Sequence, residues 1–161
     1  MNRHVHPPLT VSVVIPVKDD ARRLAVCLAA IRRQTVAPLE VVVVDNGSTD
    51  ASAAVARAGG ARVVREEHAG IPAASAAGYD AAIGDVIARL DADSIPPAEW
   101  VETIRGHLTE RPDLQGFRTI FVHWPHDLPW LRWARIVSAR RGTSRPARLA
   151  RGYRNFFAGA G

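Results

Sequence analysis

The chain has 161 residues, 47% hydrophobic and 23% charged, the composition of one globular domain with a sizeable core. Its single cysteine, Cys27, excludes an intrachain disulfide and a cysteine-rich metal site, and no apolar run approaches the roughly 20 residues needed to span a bilayer. The net charge of +5 is unevenly placed: residues 1–127 hold 13 of the 21 Lys and Arg and all 16 acids, while residues 128–161 hold eight Arg and no acid, so the basic character belongs to the tail.

Residues 1–10 are polar and proline-containing and read as a flexible arm. Val11-Ser12-Val13-Val14-Ile15 is a nearly unbroken apolar run that leads into Pro16-Val17-Lys18-Asp19-Asp20. Asp19 or Asp20 can cap a helix through about Gln34, with Leu24, Cys27, Leu28 and Ile31 on one face. Cys27 there reads as a buried small hydrophobe. Pro38 turns the chain into a second strand, Glu40-Val41-Val42-Val43-Val44, which runs into Asp45-Asn46-Gly47-Ser48-Thr49-Asp50. Ser48, Thr49 or Asp50 can cap a short Ala-rich helix that stops near Gly59-Gly60. A third strand is expected over 61–65, a third helix over 72–83 with Pro72 in its first turn, and a fourth strand over 85–90. Residues 97–110 read as a helix with Trp100, Ile104 and Leu108 aligned, and 117–122 alternate enough for a further strand. Beyond Trp124 no element is assigned. The β-branched runs are those of parallel strands covered on both faces, and their alternation with helices argues for one doubly wound α/β domain.

The fourth strand ends in Leu90-Asp91-Ala92-Asp93. Side chains at i and i+2 of an extended segment share a face, so the two carboxylates can converge on one point. Paired hard oxygen ligands suit Mg²⁺ or Mn²⁺ where a substrate phosphate adds further oxygens. The alternative is that Asp91 and Asp93 cap a turn before Pro96-Pro97. In open parallel sheets ligands bind beyond the carboxyl ends of the strands, where residues 18–20, 45–48 and 91–93 would gather.

The blocks V-S-V-V-I-P-V-K-D-D, V-V-V-V-D-N-G-S-T-D and G-D-V-I-A-R-L-D-A-D-S-I-P-P-A-E-W, in this order and spacing, resemble the inverting glycosyltransferases of family 2. The resemblance covers roughly residues 10–120, with a weaker echo over 152–161. It implies the GT-A fold, a Rossmann-like, mostly parallel sheet with helices on both faces. It implies a nucleotide-diphospho-sugar donor, a saccharide or lipid-linked acceptor such as cell-envelope polysaccharide synthesis uses, and single displacement with Mg or Mn as cofactor. Carried onto this chain, the metal falls to Asp93 with Asp91 beside it, and Asp91 also to the substrate. Asp45 falls at the position that contacts the base, although D-N-G-S is also good Asx-turn chemistry. Asp20 matches the acidic position near the nucleotide; Asp19 is given no role. Pro16 opens the same segment, and Lys18 replaces the family's aromatic there; its ammonium either faces a phosphate or is solvated. Ala74-Ser75-Ala76-Ala77-Gly78 departs from the family's Ala-Arg-Asn-x-Gly, so the arginine that helps hold the diphosphate is missing, with Ser75 a weak substitute. The family's catalytic base is a carboxylate well downstream of the D-x-D. No acid follows Asp127, so that base is unassigned and the chain reads as a fragment or a degenerate homologue, with little transfer of its own.

The expected division is an arm (1–10), a nucleotide-sugar-binding core (11–122) and an incomplete, basic Trp/Arg-rich start of an acceptor-side region (123–161). In the last, Trp130, Leu131, Trp133, Ala134, Ile136 and Val137 lie among Arg132, Arg135, Arg140 and Arg141. This mixture suits either a membrane–water interface or ordinary packing beside a solvated face. No charged-then-apolar leader opens the chain, and the expected location is cytoplasmic, with peripheral contact at the inner face of the membrane. Nucleic acid is not an expected partner, since no binding module accompanies the charge. The six histidines lack metal-ligand spacing and read as surface or packing residues. A nucleotidyltransferase is the competing enzyme reading, and a nucleotide-sugar-binding domain without turnover the competing non-enzyme one. Neither a dinucleotide fingerprint nor a P-loop is present.

Overall fold

The computed structural model describes residues 8–110 and, as backbone, two strands beyond them, 119–122 and 134–138. Strand β1 (Val11–Val17) sits centrally because its side chains are apolar on both faces, and it is buried along nearly its whole length. It pairs in parallel with β2 (Glu40–Asp45) on one side and β4 (Val86–Arg89) on the other. β3 (Arg62–Arg65) extends the sheet beyond β2, again in parallel. Its exposed arginines at both ends suit an edge position.

The two faces are covered by different helices, and the pleat of β1 sorts its residues between them. Val11, Val13, Ile15 and Val17 join a core with α1 (Ala21–Arg32), α2 (Ser52–Ala58) and α4 (Trp100–Glu110). Val14 points the other way, into a second core with Val42, Val44 and Ile87 against α3 (Ile71–Ala81). The helix faces are those expected: Leu24, Cys27, Leu28 and Ile31 of α1, and Trp100, Ile104 and Leu108 of α4, are all buried. Gly78 lets α3 lie close on the sheet, since a Cβ there would run into Val14 and would meet Val44 Cγ2 at 2.9 Å.

Three local expectations are corrected. Asp20 occupies the N-cap of α1 without a side-chain capping bond. Its carboxylate binds Arg23 at 2.9 Å instead, and Ala21 N–H is capped by Asp50 from the loop after β2. α2 begins only at Ser52, because Asp50 closes a tight turn by accepting from Ser52 N–H at 2.8 Å. Beyond Trp124, where no element was expected, β6 (Ala134–Ser138) enters the sheet.

β6 lies between β4 and β5 (Thr119–Val122) and is antiparallel to both, giving the order β3-β2-β1-β4-β6-β5. Ala134, Ile136 and Val137 are therefore strand residues of the main sheet, Ile136 and Val137 paired with Ala88 and Ile87 of β4 and Ala134 with Val122 of β5. Trp130, Leu131, Trp133, Arg140 and Arg141, and the segment 152–161, lie outside the described residues.

Candidate functional site

The parallel strands β1, β2 and β4 end at one edge of the sheet, and a cleft of about 340 Å³ opens there. β1 and the loop after it contribute Pro16, Val17, Lys18 and Asp20. The loop after β2 contributes Asn46, and the first turns of α3 contribute Ile71 and Ala74. β4 and the loop after it contribute Arg89, Asp91, Ala92 and Asp93. Five of the six residues singled out from the sequence thus line one cavity: Pro16, Lys18, Asp20, Asp91 and Asp93.

Asp45 is the exception. It is buried at the end of β2, and its Oδ1 accepts from Ser48 N–H at 2.9 Å. This is the Asx turn that D-N-G-S chemistry allows, with Gly47 at φ 73° completing it. The residue that reaches the cleft is its neighbour Asn46. Its Nδ2 donates to the carbonyls of Glu66 at 2.9 Å and His68 at 2.7 Å, and its Oδ1 accepts from Gly70 N–H at 2.7 Å. One buried amide therefore holds the loop that delivers the start of α3. Gly70 permits the entry by taking φ 117°, open only to glycine.

The loops after β1 and β2 are tied together. Asp19 sits at φ 49° and its Oδ1 accepts from Thr49 N–H at 2.6 Å, Thr49 Oγ1 at 3.1 Å and Asp50 N–H at 3.3 Å. In return Ser48 Oγ accepts from Asp19 N–H and Ser52 Oγ from Asp20 N–H. The Thr49 N–H, with help from the Thr49 hydroxyl and Asp50 N–H, holds the Asp19 carboxyl below the usual carboxylate range. Asp19 is thus a staple between two loops of the rim, a role invisible to local sequence reading.

The carboxylate pair is also arranged differently from the extended geometry expected. β4 ends at Arg89, and residues 91–94 form a turn closed by Ser94 N–H donating to the Asp91 carbonyl at 3.0 Å. Both acids still line the cleft. Asp91 Oδ1 accepts from Arg89 Nη2 at 2.6 Å, whereas Asp93 makes no hydrogen bond or ion pair among the described residues. Lys18 is exposed and likewise has no ion-pair partner among them. Cys27 packs beneath this turn, its Sγ 3.9 Å from the Asp91 carbonyl oxygen. Burial, with the nearby Asp93 and Asp91 charges, pushes its thiol up to about 12.

Sequence reasoning passed over Arg89 and Asn46. The available signal for Arg89 was a lone cation inside the apolar run V-I-A-R-L, and for Asn46 an amide at the end of a buried strand. Ser75, the suggested stand-in for a missing arginine, is fully buried in α3 and does not line the cleft.

Comparison with known proteins agrees with this architecture. Glycosyltransferase AglE of Haloferax volcanii is 36% identical over 100 residues, covering 57% of this chain and 33% of that protein. Glycosyltransferase GlyG of Streptococcus pneumoniae is 32% identical over 107 residues, covering 63% of this chain and 36% of that protein. The chain thus spans about a third of the length of these two relatives. Among solved structures, glucosyl-3-phosphoglycerate synthase of Mycobacterium tuberculosis, in complex with Mn²⁺, UDP and glucosyl-3-phosphoglycerate, superposes with a TM-score of 0.56. It is 29% identical, over 62% of this chain and 39% of that one, and the shared fold is GT-A. The family model of glycosyl transferase family 2 matches residues 12–157, and with these strand ends converging on one cleft the chain belongs to that family.

Proposed function

We propose that this chain binds a nucleotide-diphospho-sugar in the cleft at the carboxyl ends of β1, β2 and β4. The sugar is transferred, with inversion, to a saccharide or lipid-linked acceptor. The observation that carries this reading is the convergence of Lys18 and Asp20 after β1 with Asp91 and Asp93 after β4 in a single cavity. The synthase that superposes on this chain was solved with UDP and Mn²⁺, which supports a nucleotide donor here.

Each wall has a part in the proposal. Pro16, Val17, Ile71 and Ala74 offer an apolar surface for the nucleoside. Asp45, one residue before the cleft-lining Asn46, accepts a base N–H through the oxygen that Ser48 N–H does not occupy. Lys18 meets the phosphates as a point charge, and Asp20 lies beside the nucleotide. Residues 11–122 form the donor-binding core in this reading. The Trp/Arg-rich segment begins the acceptor side and makes peripheral contact with a membrane; no described helix is long and apolar enough to cross one.

The carboxylates fit a divalent cation. Asp93 has no protein partner among the described residues, and Asp91 commits one oxygen to Arg89, so both residues retain hard oxygen donors. Mg²⁺ and Mn²⁺ are commonly held by one or two carboxylates together with substrate phosphates. Asp93 and Asp91 would hold the ion, which when bound would offset charge on the departing diphosphate. The acceptor hydroxyl attacks the anomeric carbon as the nucleoside diphosphate leaves, and a general base takes the hydroxyl proton.

Titration calorimetry with UDP, GDP and TDP, in Mn²⁺ and in chelator, tests this reading. At least one nucleotide should bind, more tightly with Mn²⁺, and Asp93→Ala should abolish that gain. Equal affinity in chelator removes the metal from the proposal, and no binding of any nucleotide overturns it.

A further inference from the structure

Arg89 is a charged residue at the end of an otherwise apolar strand, and its side chain is only 8% exposed. Enclosing a guanidinium this far is unfavourable unless its donors are satisfied. Asp91 satisfies one, taking Nη2 at 2.6 Å. Nε has no hydrogen-bond partner among the described residues, although it is buried. Buried donors in native proteins are nearly always paired, so the single bond to Asp91 leaves the hydrogen bonding of this guanidinium incomplete at the wall of an open cleft. Arg89 lines the cleft together with Lys18, and these two are the cations among the lining residues.

We infer that Arg89 is a substrate-binding residue whose guanidinium, held in place by Asp91, donates to a phosphate oxygen of the nucleotide at the cleft wall. This rests on the nucleotide-sugar reading of the cleft and adds to it a named contact with the diphosphate. The chemistry favours an oxyanion over a neutral acceptor, because a charge-assisted bond is the stronger one. Pairing with Asp91 also fixes the planar fork before the ligand arrives, so little rotamer freedom is lost on binding. Asp91 then has two tasks: it positions Arg89 through one oxygen and keeps the other for the cation proposed above.

The test is calorimetry on the 161-residue chain with uridine, UMP and UDP, and in parallel with guanosine, GMP and GDP, all in chelator so that metal does not contribute. Arg89→Gln should weaken UDP or GDP about tenfold to a hundredfold, the range expected for losing a hydrogen bond to a charged group. The nucleoside should bind as it does to the parent. Arg89→Lys keeps the charge but not the fork and should fall between. Melting curves accompany each variant, and if Arg89→Gln does not fold, Arg89→Lys carries the comparison. A purely structural role would lower the melting temperature and weaken nucleoside and nucleotide alike, which would overturn the inference. So would unchanged UDP and GDP affinity in a folded variant. Failure of the parent chain to bind any nucleotide defeats the underlying reading and is seen without any substitution.

Discussion

The Asp19 carboxylate accepts the Thr49 backbone N–H at 2.6 Å, so the loop after β1 is fastened to the loop after β2 across 30 positions of sequence. Both loops belong to the rim of the cleft, and Asp19 holds its own backbone at φ 49° to make the contact. Asp19→Ala should lower the melting temperature more than Asp19→Asn or Asp19→Gly, since alanine loses the acceptor and also resists the left-handed region. Because the folded-state carboxyl lies below its ordinary value, its contribution is present above that value and is lost as pH falls through the folded one. Melting curves at pH 7 and below pH 4 check both: the difference between parent and Asp19→Ala should shrink in acid.

Glu40 anchors the opposite edge of the sheet. Its carboxylate accepts from Ser12 Oγ at 2.8 Å, Ile83 N–H at 2.8 Å, and Arg62 Nε and Nη2 at 3.2 and 2.7 Å. Partial burial works against the charge, but the Arg62, Ile83 and Ser12 bonds prevail and hold the carboxyl below its usual range. Glu40→Ala leaves these donors without their acceptor and should cost about 1–3 kcal/mol, measured by urea denaturation at neutral pH. An unchanged midpoint would mean that water replaces the carboxylate at no cost.

Gly78→Ala is expected to destabilise although alanine is the better helix former. The propensity gain is about 1 kcal/mol. The added methyl meets Val44 Cγ2 at 2.9 Å and clashes with Val14, both on the sheet beneath α3. Such overpacking typically costs about 1–3 kcal/mol, so the net change is a loss. A melting temperature at or above the parent's would show that α3 can lift off the sheet freely.

Cys27 should be inert in the folded chain. Burial raises its thiol from 9.0 to about 12, so almost no thiolate exists at neutral pH. A disulfide reagent added at pH 8 should label Cys27 only after denaturant is added. At alkaline pH the unfolded chain ionises first, so stability should decline as pH rises from about 9 toward about 12. Rapid labelling under native conditions would mean that the turn above Cys27 opens.

Membrane contact is tested by co-sedimentation with anionic and neutral vesicles at low and moderate salt. Anionic lipid should pellet the chain, less so at higher salt, and Trp130→Ala/Trp133→Ala should reduce it. Pelleting that the double substitution leaves unchanged assigns those tryptophans no part in it.

What the sequence determined by itself is local and periodic. Unbroken β-branched runs can be satisfied only by strands covered on both faces, which identifies β1, β2 and β4 and, through the parallel-sheet rule, the edge where Lys18, Asp20, Asp91 and Asp93 meet. Helix faces such as Trp100, Ile104 and Leu108 follow from the 3.6-residue period in the same way. The tertiary structure decided everything that depends on partners distant in the chain. Whether Asp20 or Asp50 caps α1, whether Asp19 serves a site or staples two loops, and which of Asp45 and Asn46 reaches the cleft all turn on hydrogen bonds between separate loops. β6 escaped notice because Ala134–Ser138 is short and set among arginines, and its pairing with β4 spans some 50 residues. Arg89 escaped for a related reason. A cation inside an apolar strand reads as a blemish until the fold shows Asp91 on one side of its guanidinium and an open cleft beside it, and that is a property of packing rather than of pattern.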